Sequence, residues 1–537
     1  MSDTGRRGPA ERWGPALLAL AGGVLAALAH PPFGFLPGVF GYALVLWALD
    51  RPARRRWGSA FRRGWASGVG YLGVSTLWIA EPFLIDAEAH AWQIPFAMAG
   101  VAGGIGLLWG VGGVLHRLFA WRGGRAGSVL AFAAAFSLAE WLRGHILTGF
   151  PWDLPGETFR AGSALSQGAA LVDVYGLTPV VLLAGAAPVL LWGGERDARR
   201  RMAVLAGAAI LIGGVGLWGE ARLRAPAAPA AAAPVRVRVV QPDLPEPPSW
   251  SPEVLQRALD RYTALTAAAP PDGRIADLVV WPEGALPAPL DVLLDPAGEP
   301  HRRIAAALRP GQILLTGAAR AESAGPDARW FNTLAALRRT PDGLVLEGLY
   351  DKHHLVPFGE YLPWPSLLGR LGLRKLVSVA ADFSAGPPPR PLRLSSGVLL
   401  QPLICYEALF PGLAKATAER PRLLLNISDD AWFGRDMGPW QHLNLASHRA
   451  IEAGLPMVRA TPTGVSAVID AQGRPVRLLP PGRAGVIDAN VPAPSPPAAS
   501  AASAAVQGAA FWLISGMLII LGLFLSRDIL CQRPLKS

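Results

Sequence analysis

The sequence is short of charge and of cysteine. Of its 537 residues only 17% are charged and two are cysteines, whereas 51% are hydrophobic. Soluble domains carry about 25% charged residues, so this composition argues against an ordinary soluble enzyme. The missing charge indicates a membrane protein.

Several kinds of site motif are absent as well. The chain has no glycine-rich phosphate loop, no internal repeat and no cluster of Cys and His at metal-ligand spacing. His353 and His354 are adjacent, so on a strand they would point to opposite faces and could not share one ion. His442 and His448 fit polar surface or capping positions better than ligand positions. We therefore expect no metal, no nucleotide and no other cofactor.

What the chain has instead is long apolar stretches. A helix needs about 20 apolar residues to cross a bilayer. Eight stretches come near that length, of which the second and third are short: 14–30, 35–50, 65–80, 92–115, 127–142, 170–192, 202–219 and 509–526. They predict a multi-span α-helical membrane domain over residues 1–219 with about seven transmembrane helices, and a final transmembrane helix at 509–526.

The net charge of +11 would suit a nucleic-acid-binding protein, which concentrates its basic residues on one surface. Here the basic residues are distributed differently. They concentrate in the two tails and in alternate loops: Arg6, Arg7, Arg12, Arg51, Arg54, Arg55, Arg56, Arg62, Arg63, Arg117, Arg122, Arg125, Arg196, Arg199, Arg200, Arg201, Arg527, Arg533 and Lys536. By the positive-inside rule these segments, including the tail 527–537, are cytoplasmic, which places residues 220–508 on the opposite side. We expect no nucleic-acid partner.

Two alternatives to this topology stay open. In the first alternative, the arginine clusters are ordinary solvated loops and carry no information on topology. In the second alternative, a cleavable signal peptide ends near Ala27-Leu28-Ala29, at the end of the first apolar run. The signal-peptide alternative leaves the remaining topology unchanged.

Two Pro/Ala linkers, 220–234 and 491–508, enclose a segment of different character, residues 235–490. Within it, helical stretches such as 252–268 and 441–453 separate short apolar runs. The predicted strands are 235–240, 278–281, 313–316, 333–337, 344–349, 398–404, 423–427, 457–461 and 465–469. Strands that are apolar on both faces are typical of a layered α/β domain whose sheets are covered by helices.

One thiol, Cys405, lies in this segment, directly after the predicted strand 398–404. A free cysteine often simply packs in a core. This segment, however, is predicted to lie in an oxidising compartment, and no second cysteine within it can form a disulfide. Reactivity explains a thiol kept there better than packing does, so Cys405 is the candidate nucleophile.

Two other predicted strands are followed by charged residues that suit a thiol nucleophile. Glu283 is either a solvated turn residue or the general base that takes the thiol proton. Lys352 is either a surface lysine or the cation that favours the thiolate and stabilises the oxyanion of a tetrahedral intermediate. Glu360 is either a turn residue or a carboxylate that orients Lys352 or assists the base. Together these residues predict acyl transfer through a thioester.

Three segments carry a family resemblance. The sequences W-P-E at 281–283, Y-D-K-x-x-L-V-P-F-G-E-Y at 350–361 and C-Y-E at 405–407 resemble, in order and spacing, the nitrilase superfamily of carbon-nitrogen hydrolases. With the predicted spans around them, they look like its bacterial membrane-embedded branch. The resemblance implies an extracytoplasmic α-β-β-α sandwich. It also implies Glu283 as base, Lys352 as cationic stabiliser and Cys405 as nucleophile, with Glu360, Glu407 and Tyr406 as supporting residues.

Residues 426–434 are similar to another segment of that family. The family pattern leads us to expect Asn at the place of Asp429, so the role of Asp429 stays open. Trp432 and Phe433 are either a mobile apolar lid over acyl chains or core aromatics.

The resemblance implies a reaction with two lipid-anchored substrates. Cys405 would attack an acyl ester of a phospholipid, and the α-amino group of the lipid-modified N-terminal cysteine of an apolipoprotein would then attack the thioester. The enzyme would be a multi-pass protein of the bacterial inner membrane, with its catalytic domain on the periplasmic face. The alternatives are a membrane-tethered amidase that hydrolyses small amides, and a non-catalytic scaffold or transporter, which needs polar residues inside the spans.

Overall fold

The structure, a computed structural model, describes most of the chain, in these ranges: 9–52, 56–120, 124–193, 197–225, 233–245, 251–325, 328–363, 366, 382–414, 419–495 and 504–531. The chain divides into two compact units. Residues 1–80, 90–225 and 502–537 form the helical unit, and residues 81–89 and 226–501 form the α/β unit. Of the two predicted Pro/Ala linkers, residues 226–232 and 496–503 lie outside the described residues, whereas 220–224 and 504–508 belong to helices. Also outside the described residues are Arg6, Arg7, Arg54, Arg55, Arg122, Arg196, Arg533 and Lys536.

Among the described residues, eight α-helices precede the first strand of the chain and one, Ala504–Cys531, follows the last strand. The eight are α1 (Pro9–Leu28), α2 (Gly41–Asp50), α3 (Arg56–Ser75), α4 (Ala87–His90), α5 (Ile94–Phe119), α6 (Gly124–His145), α7 (Ala169–Ala186) and α8 (Ala198–Arg224). Residues 87–89 of α4 belong to the α/β unit, and His90 and the other helices belong to the helical unit. Helices α3 and α5 approach closely at Gly64, where a Cβ would lie 2.3 Å from the carbonyl oxygen of Trp109. Glycine at this position therefore permits the close approach.

Among the described residues, four helical segments are long and apolar enough to cross a membrane: Ala87–Phe119, Leu165–Trp192, Ala198–Arg224 and Ala505–Leu525. The first three each contain a predicted span, and the fourth contains all but the last residue of the span 509–526. Shorter apolar helices, Trp13–Leu28 and Leu36–Asp50, occupy the first two predicted spans. The remaining two predictions, 65–80 and 127–142, fall largely in α3 and α6, which carry more charge. The membrane class is confirmed, and the count of eight spans stays a prediction.

The interior of the helical unit is more polar than the composition of the spans suggests. Glu140 and Arg143, fully buried on α6, form an ion pair. Arg143 also donates to the carbonyl oxygens of Phe150 and Trp152, both at 2.8 Å. The indole of Trp109 on α5 donates to Glu140 at 2.5 Å. Buried charges of this kind need such partners, and here they tie α5, α6 and the loop after α6 together.

The α/β unit contains two six-stranded sheets among its described residues, with spatial orders β12-β1-β2-β3-β4-β5 and β11-β10-β9-β8-β7-β6. The strands are β1 (Arg236–Gln241), β2 (Leu278–Val280), β3 (Ile313–Ala321), β4 (Trp330–Thr340), β5 (Gly343–Asp351), β6 (Leu392–Arg393), β7 (Leu399–Ile404), β8 (Leu423–Ile427), β9 (Met457–Ala460), β10 (Ser466–Ile469), β11 (Pro475–Leu479) and β12 (Gly485–Asn490). All nine predicted strands are present.

Helices cover the outer faces of both sheets. The first sheet carries α9 (Pro252–Ala267), α10 (Leu290–Leu294) and α11 (Glu299–Ala307), and the second carries α12 (Gly438–Ala453). Side chains such as Val239 of β1 and Leu425 of β8 share one core between the sheets. This arrangement confirms the α-β-β-α sandwich.

Local sequence explains where two of these helices begin and end. Helix α9 begins after Ser251, whose hydroxyl accepts from the backbone N–H of Val254 at 3.3 Å. Helix α12 ends at Gly454, which adopts the left-handed conformation with φ +63°. Both signals are ordinary capping residues, and both ends fall within a few residues of the prediction.

Candidate active site

The three predicted catalytic side chains lie at strand ends of the α/β unit. Glu283 comes three residues after β2, and Lys352 directly follows β5. Cys405 directly follows β7 and opens the 3₁₀ helix Cys405–Leu409. All three are buried, with 8%, 1% and 8% of their surface exposed, respectively. Charged groups are rarely this buried without partners, so their contacts define the site.

Lys352 lies between two carboxylates. Its Nζ donates to Oε1 of Glu283 at 3.2 Å and to Oε1 of Glu360 at 3.0 Å. The side-chain amide of Asn332 on β4 donates to the same two oxygens, at 2.6 and 2.8 Å. The ammonium and the amide therefore fix one oxygen of each carboxylate.

Backbone amides hold the second oxygen of each carboxylate. The N–H of Asp429 donates to Oε2 of Glu283 at 2.8 Å, and the N–H of Val356 donates to Oε2 of Glu360 at 2.8 Å. Strand β3 passes so close that a Cβ at Gly317 would lie 2.5 Å from the Cα of Glu283. Glu283 is thus fixed at both oxygens and at its backbone.

Cys405 has a backbone conformation that is unusual for its residue type. Its φ is +48°, in the left-handed region. A residue with a Cβ is disfavoured there by roughly 1–2 kcal/mol. Strain of this kind is common where a fold must present a reactive side chain in one direction. The sulfur is nevertheless part of the core between the sheets.

The charges around Cys405 act on it in opposite directions. Burial and the carboxylate of Glu283 raise the pKa of the Cys405 thiol well above its usual value, and the ammonium of Lys352 opposes them. Burial disfavours the charged form of Lys352, but Glu283 and Glu360 raise its pKa well above the usual value. At neutral pH the site therefore holds a neutral thiol beside a charged ammonium, and the thiol needs a base to become a nucleophile.

Glu407 is fully buried and serves the backbone around the site. Its Oε1 accepts from the hydroxyl of Tyr350 at 2.9 Å and from the N–H of His353 at 2.8 Å. Its Oε2 accepts from the N–H of Ile404 at 2.7 Å. Burial raises the pKa of Glu407, although these donors and Lys352 oppose that shift. Glu407 thus links the end of β5 to the end of β7, where Lys352 and Cys405 emerge.

The remaining predicted site residues lie close by. The ring of Tyr406 contacts that of Phe410, with centroids 5.1 Å apart. Trp432 and Phe433 are half-buried in a 3₁₀ helix, Asp430–Phe433. The side chain of Asp429 accepts from the N–H of Ala431 and from the indole of Trp432, both at 3.1 Å. Asp429 therefore caps this short helix and fixes one of its aromatic rings.

The prediction for two histidines is wrong. His442 and His448 do not lie on the surface; both are fully buried on α12. Nδ1 of His442 lies 3.0 Å from a carboxylate oxygen of Asp430, and Nδ1 of His448 lies 2.8 Å from the carbonyl oxygen of Asn444. The prediction failed because α12 packs almost its whole circumference inside the α/β unit. Among the described residues, no three His, Cys, Asp or Glu are grouped so as to hold a metal ion.

Sequence reasoning missed two sets of residues at the site. Asn332 lies on β4, and its one sequence signal is an amide in an otherwise apolar run from Phe331 to Leu337. Ser428, Asp430 and Arg459 form a second set next to Cys405, and all are fully buried. No sequence signal marks Arg459, because its partners come from other strands and loops.

The chain matches two protein-family models. Residues 236–495 match the carbon-nitrogen hydrolase family. Residues 22–187 match the family of apolipoprotein N-acyltransferase N-terminal domains. Together the two matches cover most of both structural units.

Curated relatives match over nearly the full length. An apolipoprotein N-acyltransferase of Caulobacter vibrioides is 50% identical over 487 residues, which cover 89% of each chain. One of Rhodopseudomonas palustris is 36% identical and covers 95% of each chain. Among solved structures, an N-terminal amidase is 12% identical with a TM-score of 0.23, over 36% of this chain and 47% of that one. A structural likeness at that TM-score is too weak to bear on function.

Proposed function

Because the chain belongs to the apolipoprotein N-acyltransferase family, we propose that it moves an acyl chain from a phospholipid, through a thioester on Cys405, to the α-amino group of the lipid-modified N-terminal cysteine of an apolipoprotein. Lipoprotein N-acylation is the activity that the relatives' names state. The observation that carries the proposed mechanism is the strained, buried Cys405 beside Glu283 and Lys352.

The first half-reaction makes the thioester. Glu283 takes the proton of the Cys405 thiol, and the thiolate attacks the carbonyl carbon of the phospholipid ester. The negative charge that develops on the carbonyl oxygen is stabilised by the ammonium of Lys352. As the intermediate collapses, the ester C–O bond breaks and Glu283 returns its proton to the departing alkoxide. A lysophospholipid leaves and the acyl chain stays on sulfur.

The second half-reaction uses the same groups. The neutral α-amino group of the apolipoprotein attacks the thioester carbonyl, and Glu283 accepts a proton from the nitrogen. Lys352 again stabilises the oxyanion, the C–S bond breaks, and the thiolate regains a proton from Glu283. The product is an amide, and the enzyme returns to its starting state, which makes the scheme ping-pong.

Fixed positions support these roles. Glu283 and Glu360 are held by Lys352 and Asn332 on one side and by backbone amides on the other. Preorganised groups need little rearrangement at the moment of reaction. In this scheme Glu360 and Asn332 position the ammonium and the base, and Glu407 and Tyr406 support the backbone around the nucleophile.

The membrane domain fits a reaction between two lipid-anchored substrates. In the proposed organisation, residues 1–219 and the helix at 509–526 span the inner membrane, linkers 220–234 and 491–508 flank the catalytic domain 235–490, and residues 527–537 form a cytoplasmic tail. The catalytic domain then faces the periplasm, at the surface where both substrates are concentrated. Trp432 and Phe433, half-buried near Glu283, would cover the acyl chain.

An assay in vesicles tests the overall proposal. The purified full-length protein is reconstituted with phospholipid whose acyl chain is isotopically labelled, and a synthetic peptide with a diacylglyceryl-modified N-terminal cysteine is added. We expect labelled N-acyl peptide with the wild-type chain and none with Cys405→Ala. Labelled free fatty acid without acylated peptide would instead support the amidase-like hydrolase, and turnover by Cys405→Ala would remove the nucleophile from the scheme.

A further inference from the structure

A buried charged cluster next to Cys405 takes no part in the acyl transfer described above. The carboxylate of Asp430 accepts from His442 at 3.0 Å through Oδ1 and from Arg459 at 2.6 Å through Oδ2. Burial disfavours the carboxylate, but Arg459 and His442 lower the pKa of Asp430 to about 2. Burial and Arg459 lower the pKa of His442. At neutral pH the cluster is therefore one anion, one cation and one neutral imidazole.

Ser428 connects this cluster to the thiol. Strands β7 and β8 are parallel, with Ile404 opposite Ile427. The next residues, Cys405 and Ser428, therefore leave the sheet side by side. The Ser428 hydroxyl donates to Oδ1 of Asp430 at 2.7 Å. Hydrogen bonding from Ser428 also lowers the pKa of the Cys405 thiol, against the larger effect of burial. One fully buried hydroxyl therefore bonds the anion and lies next to the nucleophile on the neighbouring strand.

A hydroxyl has one proton to donate and two lone pairs that accept. While its proton points to Asp430, the Ser428 oxygen can only accept the S–H proton of the neutral thiol. When Glu283 has taken that proton, the sulfur is an anion, and an oxygen lone pair facing it is unfavourable. Rotation about the Cβ–Oγ bond of Ser428 turns its proton to the sulfur. Asp430 keeps His442 and Arg459 as donors, so the rotation leaves no buried acceptor without a partner.

We propose that Ser428 is a further catalytic residue, whose hydroxyl accepts from the thiol at rest and donates to the thiolate during attack. Asp430, His442 and Arg459 are positioning residues that hold the hydroxyl where both bonds can form. The S–H bond breaks and its proton joins Glu283, whereas the serine O–H bond stays intact. The proposal rests on the role of Cys405 as nucleophile given above.

The charged groups that act on the thiol come from three places. Glu283 follows β2, Lys352 follows β5, and Asp430 lies in the 3₁₀ helix after β8. Arg459 of β9 and His442 of α12 in turn contact Asp430. Replacing Ser428 by Ala changes none of these charges. A change in the pH dependence of the thiol in that variant therefore reports the hydrogen bond itself.

The test measures alkylation of Cys405 by iodoacetamide as a function of pH, by peptide mass spectrometry on the full-length protein with Cys531→Ser. In Ser428→Ala we expect the midpoint of the profile to rise by about one pH unit, the scale of one hydrogen bond to a charged group. Ser428→Thr keeps the hydroxyl and should restore the profile. Ser466→Ala removes another fully buried hydroxyl, bonded to Thr461, and should leave the profile unchanged.

Asp430→Asn should shift the midpoint of the pH profile in the opposite direction. It removes an anion near the sulfur and the charged acceptor that competes for the hydroxyl proton, so the midpoint should fall. The lost anion contributes to that fall by itself, so Ser428→Gly, which also lacks the hydroxyl, replaces Ser428→Ala if that variant does not fold. A Ser428→Ala profile that superimposes on wild type, or a rise in Asp430→Asn, would overturn the proposal. If these shifts occur but phospholipid never acylates Cys405, the hydrogen bond between Ser428 and the thiolate is supported, and the role of Cys405 as nucleophile in acyl transfer is rejected.

Discussion

At the residue scale, the carboxylate of Glu283 is held at both of its oxygens. One oxygen accepts from Lys352 and Asn332, and the other accepts from the backbone of Asp429. A carboxylate held this way has one orientation, which suits a base that must reach one sulfur atom. Replacing Glu283 by an apolar residue would remove the acceptor of the Asp429 N–H and one acceptor each of Lys352 and Asn332, so a substitution that tests the base must keep the polar side chain.

Glu283→Gln tests this role directly. The amide keeps the size of the side chain but cannot take a proton, so acylation of Cys405 should slow by about a hundredfold or more. The measurement is the single-turnover rate of acyl-enzyme formation after mixing with phospholipid. Glu299→Gln, on the exposed surface of α11, is the matched control and should acylate at the wild-type rate. Full activity of Glu283→Gln would make Glu283 a structural residue.

At Asp429 the resemblance leads us to expect Asn, and the two oxygens of this Asp make different bonds. One caps Ala431 and the other accepts from the Trp432 indole. Asn has a single acceptor oxygen, so Asp429→Asn should release the indole while the backbone N–H still holds Glu283. We expect faster amide hydrogen exchange over 430–436. Trp432→Phe should give the same increase, and the double variant no more. Unchanged exchange in Asp429→Asn would contradict a lid held by this indole bond.

Some of the site residues can be predicted from the sequence and others cannot. Glu283, Lys352 and Cys405 are predictable because each stands in a short pattern at the end of an apolar run. Asn332 and Arg459 escape prediction because their importance comes from strands that lie side by side only after folding. Burial also reverses the prediction for His442, since a histidine in a polar-looking helix gives no sign that the helix is enclosed.

At the element scale, Gly317 on β3 sets the distance between that strand and the loop that carries Glu283. A Cβ there would lie 2.5 Å from the Cα of Glu283 and 2.7 Å from the nitrogen of Gly284. Both are backbone atoms, which cannot move aside as a flexible side chain can. The sequence needs glycine at this position for close approach, although its φ is ordinary.

Gly317→Ala should therefore displace Glu283 and lower the rate of acylation by about tenfold or more, as misplaced catalytic groups do. The measurement is again single-turnover acylation, with thermal unfolding followed in parallel. Gly485→Ala, on β12 of the same sheet, places its Cβ at an ordinary 3.6 Å from Leu479 and should change neither. Wild-type acylation by Gly317→Ala would mean that the close approach does not position the base.

The three strands that sequence reasoning missed all lie at sheet edges. β11 has no fully buried residue, β12 carries the ion-paired Asp488, and β6 has two residues. A strand at a sheet edge can lack the continuous apolar run that marks a buried strand. Eight of the nine predicted strands are central and have that run, which is why the sandwich itself was predictable. The ninth, β5, is also an edge strand, but Leu344, Val345 and Leu346 give it an apolar run.

At the scale of the whole molecule, the orientation of the membrane domain stays a prediction from the distribution of arginine. Single cysteines in a background without Cys405 and Cys531 test it. In spheroplasts, a membrane-impermeant maleimide should label Glu88→Cys, because Glu88 lies in the segment 81–89, which belongs to the α/β unit and contains no Lys or Arg. It should label Arg199→Cys only after the cells are opened. Both side chains are exposed within their own units. The reverse labelling would place the catalytic domain in the cytoplasm.

The proposed mechanism depends most on one covalent intermediate, an acyl group on the sulfur of Cys405. Intact-mass measurement of the purified full-length protein after exposure to phospholipid tests it most directly. We predict an added mass equal to one acyl chain, mapped to Cys405, which disappears when a lipopeptide with a free α-amino group is added. The absence of any adduct, or an adduct of equal size on Cys405→Ala, would contradict the mechanism.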